Sequence, residues 1–165
     1  MGVTATSLTA LIEGEISVLK DPRVINHIRG LLIAPQPQMR PWDYGTPGEA
    51  YECWLVLADA SSNAGIAYCE SGFGPATPWG LVSVQGQYMS MGMDSGWFKY
   101  FLDAYFESAP STDLPIWRVF EGGFPGTPIT DEDSWDATWA VVMRLRSERP
   151  QLQFNCAQSA YVRDT

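Results

Sequence analysis

Residues 51–86, YECWLVLADASSNAGIAYCESGFGPATPWGLVSVQG, decide the fold. YECWLVLAD (51–59) and AGIAYCES (64–71) are short runs rich in strand-forming residues, and the polar, glycine-containing DASSNAG between them suits a hairpin connection. PWGLVSVQG (78–86) reads as a third strand. The stretch from Tyr68 to Gly80 therefore begins in one strand, crosses a Gly/Pro loop at Gly72–Pro78 and re-enters the sheet. Consecutive strands with short connections predict mostly antiparallel pairing.

Helical periodicity flanks this block. Leu8, Leu11, Ile12, Ile16 and Leu19 recur at helical spacing, and Asp21-Pro22 supplies a cap and a first-turn proline for a second helix presenting Val24, Ile25, Ile28, Leu31 and Leu32. The N-terminal third thus reads as a helical hairpin. APQPQMRPWDYGTPGEA (34–50), with four prolines and two glycines, reads as an extended loop. Further on, Asp94 is expected to cap a helix carrying Trp97, Phe98, Phe101, Leu102, Tyr105 and Phe106, an aromatic stripe suited to core packing. LPIWRVFEG (114–122) predicts another strand, and Thr130 with Asp133 resembles a capping box opening a helix with Trp135, Trp139, Val142 and Leu145 inward. QLQFNCAQSAYV (151–162) is expected to close the sheet. The expected fold is α+β: a mostly antiparallel sheet packed with helices, in a single domain spanning 1–165. Regular βαβ alternation is missing, so a doubly wound nucleotide-binding fold fits poorly.

A chain of 165 residues, 45% hydrophobic, buries about 70% of its unfolded surface in one core. Its net charge of -9 is unevenly spread. No basic residue lies between Arg40 and Lys99, while Asp43, Glu49, Glu52, Asp59, Glu70 and Asp94 all do. From Tyr100 to Met143 eight acids face a single Arg118. Such a block repels nucleic acid and anionic membrane and would steer a basic protein toward it, although acidity also serves plain solubility. The sequence shows neither a long apolar span nor a secretory leader, and Cys53, Cys69 and Cys156 are odd in number and widely spaced. Both features predict a cytoplasmic protein whose thiols stay reduced in the core, with a disulfide between two of them as the lesser alternative that spacing leaves open.

Familiar catalytic patterns fit badly. His27 is the lone histidine and lies on an amphipathic helix; metal sites and triads need partners. GFGPATPWG (72–80) contains a GxG, but its prolines oppose the helix that phosphate binding requires. No catalytic residue, metal ligand or cofactor is assigned. Glu70 and Asp94 flank one loop and strand, and paired carboxylates could divide acid and base roles in a small-molecule or glycan-binding domain or a hydrolase. Trp42, Tyr44, Phe73 and Trp79 lie in or beside Gly/Pro-rich connections, where some are expected to close the core and others to anchor a partner. The candidate partner-binding residues are Asp43, Tyr44, Glu49, Glu70, Glu121 and Asp131, acids and one tyrosine in or near predicted loops.

In overall character, and in GEAYECWLVLAD, YCESGFGPATPWG and SMGMDSGWF, the chain resembles the small, acidic, tryptophan-rich cytoplasmic immunity proteins of bacterial contact-dependent growth inhibition and related polymorphic toxin systems. The resemblance implies a noncatalytic inhibitor of a cognate toxin, often a nuclease with a basic groove, with no direct nucleic-acid or membrane contact. An intracellular adaptor is the remaining alternative.

Overall fold

A computed structural model describes residues 2–122 and 126–163. The chain divides into two compact units, Met1–Val18 with Ile25–Pro110 and Leu19–Val24 with Ser111–Thr165. Its elements run α1 (Ala5–Ile16), α2 (Pro22–Leu31), β1 (Leu32–Pro41), β2 (Ala50–Asp59), β3 (Ala64–Tyr68), β4 (Trp79–Ser83), β5 (Trp97–Phe98), α3 (Phe101–Glu107), β6 (Trp117–Glu121), β7 (Thr127–Pro128), α4 (Trp135–Glu148) and β8 (Phe154–Gln158). Two antiparallel sheets, β1-β2-β3-β4-β5 and β7-β6-β8, make the fold α+β as expected. Among the described residues no helix is long and apolar enough to cross a membrane.

Local chemistry sets the N-terminal helices. Thr4 and Ser7 form a reciprocal capping box at the start of α1, whose Leu8, Ile12 and Ile16 recur every four residues and are buried. Asp21 accepts from the Arg23 N–H at 2.9 Å, the capping role expected of it. Glu13 of α1 pairs with Arg29 of α2 through two bonds of 2.8 and 3.0 Å.

The proline-rich stretch expected to be a loop is instead a strand as far as Pro41. β1 is an edge strand; Pro37 and Pro41 occupy positions whose N–H slots face away from β2, and Pro35 lies in the irregular stretch between Leu32 and Gln36 where the register shifts. The missing donors therefore cost no ladder bonds. The Trp42 N–H, on the β2-facing side, donates to Glu49 O at 2.8 Å, whereas the outward carbonyl of Pro41 accepts from Met91 at 3.1 Å. The loop begins only at Trp42.

The hairpin and third strand follow their expectations. Asn63 turns the β2–β3 connection with φ 53°, and its side-chain oxygen accepts from the Val84 and Gln85 N–H groups at 3.2 and 2.9 Å. Cys53, Leu55, Ala67, Cys69, Val82, Met91 and Trp97 make the core of this sheet. Gly80 is required there because a Cβ would stand 2.2 Å from the Trp97 indole. Trp97 itself donates Nε1–H to Met91 O at 2.7 Å.

Asp94 does not cap α3. It lies in a 3-10 turn, Asp94–Gly96, after which Trp97–Phe98 pair with β4, so the expected helix starts at Phe101. The backbone donors at that start are satisfied from elsewhere: Glu15 of α1 accepts from Phe101 and Leu102 N–H at 3.0 and 2.9 Å.

In the second unit β6 lies between β7 and β8, and Val119, Val142, Leu145 and Phe154 form its core. The C-terminal strand thus belongs to this separate sheet and does not close the first one. Ser134, not Thr130, caps α4, accepting from Ala137 N–H at 3.3 Å; Thr130 accepts from the Val119 N–H of β6 at 2.9 Å and is spent there. Trp135 and Trp139, expected inward, are half-buried and stack at 5.4 Å and 9°, with the Arg146 guanidinium 5.0 Å from the Trp139 ring centre. Arg23 reaches Glu132 at 2.8 Å and Pro115 O at 3.0 Å within the same unit.

Replacing Glu15 with Ala removes both acceptors at the start of α3, and the expected cost is about 1–2 kcal/mol. Urea unfolding should show a lower midpoint with an unchanged slope. A midpoint equal to that of the parent protein would mean that water caps α3 equally well.

Candidate partner-binding surface

The β1–β2 loop, residues 42–49, is built around one carboxylate. Glu49 accepts from the Thr46 N–H at 2.9 Å and from the Tyr51 hydroxyl at 2.7 Å, while its backbone N–H donates to Thr46 O at 3.0 Å. Gly45 leaves room for this arrangement, since a Cβ would overlap Glu49 Oε2 at 1.6 Å. The Tyr51 hydroxyl, helped by the Thr46 N–H, holds the Glu49 carboxyl below its ordinary 4.5.

Aromatic rings connect this loop to the core. Trp42 packs on Tyr44, Tyr51 and Phe73 with centroids at 5.3, 5.7 and 4.7 Å, and Phe73 continues to Trp97 at 5.8 Å. Tyr44 also meets Phe73 at 5.7 Å but is 60% exposed. Gly72, at φ 66°, brings the β3–β4 loop close: a Cβ there would stand 2.9 Å from the Trp42 ring and 2.8 Å from Met91 Cε. Trp79 is buried outright, while Trp42 and Phe73 are half-buried. Of the four aromatics singled out in the sequence, Tyr44 is the one presented to solvent on a packed base.

The electrostatics follow from one burial. Arg40, the last basic residue before Lys99, is only 1% exposed. Its guanidinium donates to Gln38 Oε1 at 2.9 Å, Ser83 O at 3.0 Å and Met89 O at 3.2 Å, and among the described residues its Nε has no partner. Burial pulls its pKa down from the ordinary arginine value. With that cation inside, the surface contributed by residues 41–98 carries acids and no base, including exposed Asp43, Glu52 and Glu70.

The structure brings Asp43, Tyr44 and Glu49 together in one loop and sets the β3–β4 loop bearing Glu70 against it through Phe73. Glu70 is exposed and accepts from the Tyr68 hydroxyl at 3.1 Å. Glu121 ends β6 and Asp131 precedes α4; both are exposed, but they belong to the second unit and are not part of this loop pair. Glu49 is engaged inside the loop, so it shapes the surface more than it offers charge. Glu52, exposed on β2, and Tyr88, 79% exposed, were not singled out from sequence. The outward alternation of Glu52 beside inward Cys53 was the signal for the first; Tyr88 sits in QGQYMSMGM, which has no periodicity to read.

His27 faces the Tyr105 hydroxyl at 2.6 Å through Nδ1, and burial pushes the Tyr105 phenol up. Glu70 and Asp94 both face solvent. Among the described residues no three His, Cys, Asp or Glu side chains gather as a metal site would require.

Because the Glu49 carboxyl is depressed in the folded loop, its contribution is complete above 4.5 and is lost as pH falls through its lower folded value. Tryptophan fluorescence should therefore show an acid transition near the Trp42 loop, absent in Glu49→Gln. A transition identical in both proteins would assign it to another group. No family model, curated protein or solved structure matches this chain.

Proposed function

We propose that this chain is a noncatalytic inhibitor of the immunity type, acting in the cytoplasm, that binds a basic protein toxin through its β1–β2 and β3–β4 loops. The observation supporting this reading is an exposed Tyr44 seated on Trp42 and Phe73, on a surface whose nearby cation is buried and whose free charges are all acidic. A rigid tyrosine loses little side-chain entropy on binding and makes a good interface anchor. Surrounding carboxylates speed encounter with a basic surface, such as the phosphate-binding groove of a nuclease. Anchor and field thus act on different rates.

A second reading, a small-molecule or glycan site, draws on the open groove of about 440 Å³ over Trp42, Asp43, Thr46 and Glu49. Saturable quenching of Trp42 by a ligand library, with no protein recovered from native lysate, would favour it.

The test of the inhibitor reading is recovery of a basic toxin domain from native lysate at low and high salt, followed by kinetics on the pair. Tyr44→Ala should weaken binding roughly 30-fold, mainly through faster dissociation. Combined reversal of Asp43, Glu52 and Glu70 to Lys should slow association and flatten its salt dependence. Unchanged affinity and salt slope in both variants would remove these loops from the interface.

A further inference from the structure

The core beneath these loops holds two cysteines whose backbone geometry suits a covalent bond. The β2–β3 register pairs Trp54 with Tyr68, and one residue further along it sets Cys53 opposite Cys69. Cys69 turns its N–H to Pro78 O at 2.9 Å, away from β2, while Cys53 belongs to the ladder with Gln38 of β1. The two therefore form a non-hydrogen-bonded antiparallel pair. In such pairs the Cα atoms stand about 4.5 Å apart and the side chains approach most closely, within the Cα range of about 4.4–6.8 Å that a disulfide spans. Both side chains enter the same core cluster, at 0% and 2% exposure.

We propose that Cys53 and Cys69 are a site of oxidative modification, at which a hydroperoxide converts the dithiol into an intrachain disulfide tying β2 to the base of the β3–β4 loop. This inference stands apart from the inhibitor reading. Cys69 is the attacking sulfur because it adjoins the exposed Glu70, Ser71 and Gly72, the side of the pair nearest to solvent and to a molecule as small as hydrogen peroxide. Its thiolate attacks the O–O bond, an S–O bond forms, and hydroxide leaves with the bonding pair. The Cys53 sulfur then attacks the sulfenic sulfur; the S–S bond forms, the S–O bond breaks and water departs. In sum two thiols and one peroxide give one disulfide and two waters. The sulfurs lose two electrons and the peroxide oxygens gain them.

Two further features support the assignment. Sulfur–sulfur contact and the Ser71 N–H draw Cys69 below the ordinary thiol value, while the same contact and burial hold Cys53 above it. Arg40, buried without a carboxylate partner among the described residues, couples electrostatically to Cys53 and favours negative charge on the pair. Cys156 lies in the other unit, and burial pushes it up to about 11. It serves as an internal control.

The full-length protein would be treated with low molar ratios of hydrogen peroxide, alkylated in denaturant and mapped by mass spectrometry. Two of the three thiols should disappear into a Cys53–Cys69 linked peptide while Cys156 stays alkylatable. Cys156→Ser should give the same product, and Cys53→Ser should not. The melting temperature should rise by about 5 °C and fall back on reduction with dithiothreitol. Over-oxidation of Cys69 without linkage, or loss of Cys156 before the pair, would overturn the proposal.

Discussion

A guanidinium buried among backbone carbonyls is costly unless its donors are used, and Arg40 uses its two terminal nitrogens, though not Nε, to hold together segments that share no ladder. From the edge strand β1 it reaches Ser83, at the end of β4, and Met89, in the irregular segment that follows. Met91 then donates to Pro41 and accepts from the Trp97 indole, so that segment is fastened on both sides. Trp97 lies on Gly80 and supports Phe73, which supports Trp42 and Tyr44. The exposed tyrosine thus rests on a series of contacts that leads back to one buried cation. The same burial removes the basic charge that would have diluted the acidic surface.

The strands at 50–59, 64–68 and 79–83 were legible because alternation and turn residues are local properties. What escaped sequence reasoning was decided by groups far away in the chain. Pro35, Pro37 and Pro41 argue for a loop until it is known that β1 is an edge on which Pro37 and Pro41 face outward and Pro35 falls in a break of register; proline content cannot express that choice of edge. Asp94 looked like a cap because a carboxylate preceded an aromatic stripe by a few residues, yet the capping carboxylate comes from Glu15, some 86 residues earlier. Thr130 had the right spacing from Asp133 but was captured by Val119. In each case a local rule met a competing partner supplied by tertiary structure.

The candidate surface divides along the same line. Asp43, Tyr44 and Glu49 fall together because they share one short loop, and Gly72 of the neighbouring β3–β4 loop admits Trp42 at close range, while the Glu70 carboxylate is engaged by Tyr68. Glu121 and Asp131 shared only the property of being acidic and near a loop, which carries no information about neighbours. The altered role of Glu49 is equally instructive. An acid in a Gly/Pro loop reads as available charge, but this one satisfies a backbone amide and a phenol. Loop acids need their hydrogen-bond accounts closed before they are counted as binding charge.

Rigidity is what distinguishes a surface of this kind from acidity in general. Scattered exposed carboxylates are screened beyond about 8 Å at physiological salt and cannot by themselves hold a partner. Long-lived binding requires at least one desolvated side chain whose position is set before the partner arrives. Each layer below Tyr44 is set by a close fit: a glycine at positive φ beside Trp42, an indole lying on a glycine, and a carboxylate filling the space that a Cβ at Gly45 would need. Small residues at 45, 72 and 80 therefore set the geometry of the large ones. A change at any of the three would loosen the seat of Tyr44 without altering the charge around it.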